Sequence, residues 1–156
     1  MSNVSAHMFS PEEVRRAFPN GVFGAPATLE AIATAERLLG HKLPLQVRNL
    51  YLEFNGFHGP TNAPFLFPVL ERPGPSGESL VTYTLFFRGE DYFPKWLQHS
   101  IVLGDNGTGT AWFMLLNEGC RVVRWDAEWE DYEPVDGSLL DAWRSEKEFY
   151  DSLRPI

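Results

Sequence analysis

The sequence predicts an α+β domain, with helices at its N-terminal end, an antiparallel sheet in the middle and a C-terminal helix packed on that sheet. Three observations predict it. Apolar residues at helical spacing occur before Asn55 and again after Gly137. The interval between is rich in aromatic and β-branched residues punctuated by Gly, Pro and Asn. No strand-helix-strand alternation of the kind that builds a parallel sheet is present.

Taken in order, Ser10-Pro11-Glu12-Glu13 reads as a capping box with proline at the first helical position, opening a short helix that buries Val14, Ala17 and Phe18 and ends at Pro19-Asn20-Gly21. Gly24 to Ala27 is a linker. Thr28 caps a second helix that runs to Leu39 and stops at Gly40. Pro44 suits the first turn of a third, in which Val47, Leu50, Tyr51 and Phe54 form one apolar stripe, closed by Asn55-Gly56. Strands are expected at Phe65 to Phe67, Leu80 to Phe87, Ile101 to Leu103, Ala111 to Leu116 and Arg121 to Trp125. Pro73 to Gly77 is a loop between the first two, Gly104 to Gly109 a tight turn and Asn117-Glu118-Gly119 a hairpin connection, so the strands should run antiparallel. Ser138 caps a last helix with Leu139, Ala142, Trp143, Phe149, Tyr150 and Leu153 on one face and Glu146 and Lys147 towards its flank or solvent. Trp112 and Trp125 belong to the core.

The length of 156 residues fits one unit: residues 1–9 as a flexible tail and 10–156 as a single domain. With 44% hydrophobic and 14% aromatic residues, it has ample apolar surface to bury. Thirteen Lys and Arg stand against 21 Asp and Glu, a net charge of −8. That disfavours nucleic acid, whose binding needs clustered cations to displace counterions, and favours a basic partner. Cys120 is the only cysteine, so no internal disulfide forms. Residues 1–8 lack a signal-peptide pattern, and no apolar run approaches membrane-spanning length, so the expected location is the cytoplasm.

The order of these motifs resembles the SUKH superfamily. Ile32, Glu36, Leu39-Gly40, Leu43-Pro44, Val47, Leu50, Tyr51, Phe54 and Asn55-Gly56 resemble its helical signature. Ile101-Val102-Leu103-Gly104 with Asn106-Gly107-Thr108-Gly109 resembles its second motif, Val123-x-Trp125-Asp126 the next strand, and Ser138-Leu139-Leu140 the start of its closing helix. The likeness spans roughly residues 28 to 153, with one departure: members often place an aspartate where Thr110 stands. The resemblance implies bacterial immunity proteins that neutralise toxins, or fungal regulators of cell-wall synthesis that act as interaction hubs. Both are binding roles; it implies no cofactor and supplies no catalytic residue.

The residues carry little catalytic chemistry beside this. His7, His41, His58 and His99 are scattered without metal-ligand spacing, and His58 reads as a surface or turn residue. Cys120 opens a predicted strand beside Val122 and reads as half-buried and structural. The Gly104 to Gly109 turn lacks the lysine and following helix of a phosphate cradle. The conspicuous stretch is Asp126 to Asp136, where Asp126, Glu128, Glu130, Asp131, Glu133 and Asp136 are interleaved with Trp129 and Tyr132, and no Lys or Arg intervenes. It is either a solvated loop with Trp129 tucked into the core or a partner-binding site.

The leading expectation is therefore a non-enzymatic immunity protein. It would bind a basic toxin domain, such as a nuclease, with these acids steering the encounter and Trp129 or Tyr132 anchoring it. The rival is a regulatory or scaffold protein that uses the aromatic Phe86 to Trp96 region, which holds Phe87, Tyr92 and Phe93. A third reading, a small hydrolase with Asp126 and Glu128 as paired acids, has nothing to place a substrate beside them.

Overall fold

The computed structural model describes residues 8–59, 62–70, 78–117, 119–126 and 131–153. In chain order these form α1 (Pro11–Ala17), β1 (Val22–Phe23), α2 (Leu29–Leu39), α3 (Leu45–Glu53), β2 (Phe57–His58), β3 (Pro64–Leu66), α4 (Leu80–Arg88), a 3-10 turn at Lys95–Leu97, β4 (Ser100–Asp105), β5 (Thr110–Leu115), β6 (Val122–Asp126), β7 (Asp131–Pro134) and α5 (Leu139–Ser152). The fold is α+β, as the sequence predicts. Two antiparallel sheets are present, a small β1-β2-β3 and a larger β4-β5-β6-β7 meander.

The helix caps follow the sequence closely. Ser10 and Ser138 each accept a hydrogen bond from the amide three residues on, while Glu13 and Asp141 return the contact to the cap amides, completing two capping boxes. Thr28 caps α2 and Gly40 ends it in the left-handed conformation at φ 73°. Glu36 reaches past the end of α2 to accept from the Leu43 amide at 2.8 Å, which fixes the turn into α3. Pro44 is the N-cap of α3 rather than its first residue. Beyond α3, Asn55 accepts from the Val69 amide at 2.8 Å, and Gly56 makes the turn at φ 92°.

One expected strand is a helix. Leu80 to Phe87 has the residue types of a strand, yet it forms α4 because Ser79 and Thr82 make a reciprocal cap at its start. Leu80, Val81 and Thr84 turn inward at helical spacing. The Thr84 hydroxyl accepts from the Val102 amide, and the Phe67 amide donates to the Leu103 carbonyl, so the β4 edge is occupied by α4 and β3. Arg88, at the end of α4, donates to the Leu39 and Ser100 carbonyls at 3.1 and 3.0 Å and pins α4 to α2 and β4. The loop expected at Pro73 to Gly77 lies outside the described residues.

Strand alternation divides the larger sheet into two faces. On the inner face Ile101, Leu103, Trp112, Met114 and Val122 join the main core with the helices and the small sheet. On the outer face Val102, Phe113, Leu115, Val123 and Trp125 join a second core with Phe67, Phe93 and Leu97. Near the end of β4 the chain requires glycine: a Cβ on Gly104 would collide with the Phe65 carbonyl, because β3 and β4 approach backbone to backbone.

α5 covers the inner face through a stripe of Leu139, Ala142, Trp143 and Glu146. Trp143 is fully buried, donates from Nε1 to the Phe65 carbonyl at 3.1 Å, and meets Phe57 edge-on at 4.9 Å between ring centroids. The expected face of this helix needs correcting at three residues. Glu146 is 6% exposed rather than solvent-facing, and Phe149 is 56% exposed because it falls on the helix flank. Leu153, the C-cap, is likewise exposed beyond the last turn.

Candidate functional site

Within the acidic stretch from 126 to 136, Asp126 ends β6 and Asp131–Pro134 form β7, so its described part is strand for the most part rather than loop. β6 and β7 pair antiparallel with Trp125 opposite Tyr132, Arg124 opposite Glu133, Asp126 opposite Asp131 and Val123 opposite Pro134. Residues directly opposite share a face, so Tyr132, which adjoins Asp131 and Glu133 in the sequence, is separated from them in space. Tyr132 lies with Trp125 on the outer face. Asp126, Asp131 and Glu133 lie with Arg124 on the inner face, on the side of α5. Glu128, Trp129 and Glu130 fall in the segment 127–130, outside the described residues.

Asp131, Glu133 and Asp136 are exposed. Between β6–β7 and α5 runs an open groove of about 450 Å³ lined by Arg124, Glu133, Asp136, Asp141, Glu146 and Phe149 among others. Arg124 is the only base among its described lining residues, and its Nη2 stands 3.9 Å from Glu146 Oε1. At that distance and partly exposed, the pair adds little stability, and the groove keeps an acidic balance. The buried Glu146 also accepts from Asn106 Nδ2 at 3.1 Å, and the Tyr150 hydroxyl donates to the Asn106 carbonyl at 3.3 Å. Asn106 Oδ1 in turn accepts from the Thr108 and Thr110 amides at 2.9 and 3.1 Å. Thus the glycine-bearing turn after β4 is a latch onto α5, and the buried Thr110 serves it through its backbone.

The edge strand β7 carries Pro134, which has no N–H to offer. The Val135 amide donates to the Val122 carbonyl, which sets the alternation so that Pro134 faces away from β6. A proline on the open side of an edge strand limits further strand addition.

The rival aromatic region is only partly a surface. Phe93 is buried and Phe87 packs edge-on against Phe113 and Trp125 in the second core. Phe86, Tyr92 and Trp96 remain exposed at 54%, 54% and 46%. Trp96 meets Tyr132 edge-on at 5.6 Å between centroids, so the fold joins this region to the acidic hairpin, a contact that no spacing in the sequence indicates.

Other candidate groups have ordinary settings. His58 is an exposed residue of β2. Burial pushes the Cys120 thiol above its usual range, opposite to what a nucleophile needs, and the residue sits in a turn at φ 60° just before β6. Among the described residues no three His, Cys, Asp or Glu side chains gather to hold a metal ion. No helix there is long and apolar enough to cross a membrane.

The architecture is thus an α+β domain in which α1, α2, α3, α5 and the small sheet enclose one face of a four-stranded meander, and α4 lies at the β4 edge with its end over the other face. The model of the SMI1/KNR4 family (SUKH-1) matches residues 26–152, and the chain belongs to that family. Comparison with the curated proteins finds no match.

Proposed function

We propose that this chain is an immunity protein that binds and neutralises a basic toxin domain, such as a nuclease, and acts by occupying its partner rather than by catalysis. Family membership supports a binding role, since the SUKH resemblance implies toxin immunity as one of its two functions. The observation that carries the choice is the acidic inner side of the β6–β7 hairpin. Asp126 and Asp131 are paired directly across the strands, with exposed Glu133 and Asp136 beside the groove. Acids gathered on one face of a strand pair attract a cationic partner and steer its approach.

The test is co-expression with basic toxin domains in a sensitive host, alongside binding at low and high salt. A basic partner whose toxicity is suppressed by the native chain, and much less by the Asp131→Asn/Glu133→Gln/Asp136→Asn variant, is the expected result. Protection and affinity that ignore both salt and the triple variant would sink the acidic-surface reading.

The exposed Phe86, Tyr92 and Trp96 favour a second reading, a regulatory or scaffold protein that binds cellular partners through aromatic contacts. Complex formation insensitive to salt, and abolished by Trp96→Ala, would support it instead.

A further inference from the structure

The outer side of the hairpin is a shelf of rings. Tyr132 and Tyr92 each lie nearly parallel to Trp125, at 19° and 16° with centroids 6.1 and 6.4 Å apart, and Trp96 closes on Tyr132 edge-on at 5.6 Å. Trp125 is buried beneath, while Tyr92 and Trp96 are about half exposed. Carboxylates stand beside these rings on the side of the turn after α4: Glu90 lies near enough to Tyr92 to act on its phenol and exposed Asp91 precedes it in the chain, whereas Asp131 belongs to the inner face. Burial and the neighbouring charge of Glu90 both push the Tyr92 phenol up, so its ring stays neutral. Lys95 is the one base between Gly89 and Gln98.

Aromatic faces carry negative potential, and a carboxylate rim adds to it, so the shelf suits a cation that is also flat and weakly hydrated. A guanidinium meets that description better than an ammonium, because it stacks on a ring while its edge donates hydrogen bonds to nearby carboxylates. A second copy of this chain would bring a further net charge of −8 against the same rim, and nucleic acid would bring phosphates.

We infer that the Tyr92–Trp96–Tyr132 shelf receives an arginine side chain of the basic partner, stacked on the exposed rings. The inference rests on the reading of the hairpin as partner-facing. It also goes beyond it: the acidic inner side supplies attraction that does not distinguish lysine from arginine, whereas the outer side reads the guanidinium. A partner engaging both sides would clasp the hairpin at its Pro134 edge.

The experiment uses the full chain with two probes, octa-arginine and octa-lysine peptides, in titration calorimetry at low salt. Tryptophan indole N–H shifts report which rings respond. Octa-arginine should bind about threefold tighter, in line with a cation–π contact at an exposed site. The shifts should fall on Trp96, and the preference should vanish in Tyr92→Leu/Trp96→Leu while octa-lysine binding persists. Both positions are exposed, and far-UV dichroism checks that this variant stays folded. Equal affinity for the two peptides, or a preference that survives the double variant, overturns the shelf and leaves the acidic reading standing. If the Asp131→Asn/Glu133→Gln/Asp136→Asn variant binds both peptides as the native chain does, with the arginine preference intact, the acidic reading falls and the shelf stands. No binding of either peptide overturns both.

Discussion

The two faces of the β4–β7 sheet are built from similar residues but finished differently. The inner face is closed by α5, whose Trp143 is wholly buried, and by the aromatic set of Phe18, Phe57 and Phe65. The outer face is covered by the end of α4 and the turn that follows. That cover buries Phe93 and Leu97 yet leaves Phe86, Tyr92 and Trp96 half in water. A sheet face closed by a long helix returns most of its apolar area as stability. A face closed by a short helix and a turn keeps aromatic area available for something else.

Substituting one tryptophan on each face breaks or confirms this contrast. Trp143→Ala removes a fully buried ring and its hydrogen bond to Phe65, and should cost about 3–5 kcal/mol in urea unfolding. Trp96→Ala, at 46% exposure, should cost no more than about 1 kcal/mol. Equal losses would mean that the outer cover is as structural as the inner one.

Gly104→Ala comes next in size. It lies at the crossing of β3 and β4, where a Cβ meets backbone rather than a movable side chain, and the expected cost is about 1–3 kcal/mol. Because this crossing ties the main core to the meander, the amide protons of β4 should lose protection from exchange before those of α2. Unchanged protection in β4 would show that the sheet tolerates a wider gap there than the close approach suggests.

Ser79→Ala probes the outer cover directly. It removes the reciprocal cap of α4 and should destabilise by about 1 kcal/mol, whereas a strand beginning at Leu80 would be indifferent to it. Circular dichroism of the variant should show lost helix.

α4 also marks where the sequence misleads. Leu80-Val81-Thr82-Tyr83-Thr84 has strand-forming residue types, and the signal against a strand is the Ser79–Thr82 pair, a weaker box than Ser10–Glu13 because threonine stands where glutamate usually does. Elsewhere the legible residues are those with a local geometric duty. Glu36 closes the α2–α3 turn, Tyr51 donates to the Phe67 carbonyl at 2.6 Å, Asn106 latches α5 and Ser138 caps it. All four lie in the stretches that carry the family resemblance, and all build scaffold. The acids of β7 are legible as charge, but their division from Tyr132 is not. Face assignment follows from pairing register, and the strand in question has the composition of a solvated loop. Trp96 against Tyr132 joins positions 36 residues apart through tertiary packing alone.

The smallest expected effect concerns Asp105, which ends β4 opposite Ala111 of the second core. Desolvation by the outer cover raises its carboxyl pKa, the Gly107 amide bonded to Oδ1 at 2.8 Å works the other way, and Glu78 adds to the rise. The folded chain therefore holds this proton more tightly than the unfolded one. Its contribution is fully present below the unfolded carboxyl pKa of about 3.9 and is lost as pH rises through the higher folded value. An asparagine side chain in its place would keep the acceptor for the Gly107 amide without the charge. Asp105→Asn should then leave stability at neutral pH equal or slightly higher, and remove this fall from the acidic limb when urea midpoints are compared between about pH 3 and 7. A variant less stable at neutral pH, with the limb unaltered, would mean that the carboxylate is solvated and the outer cover is looser at the β4 end than at Phe93.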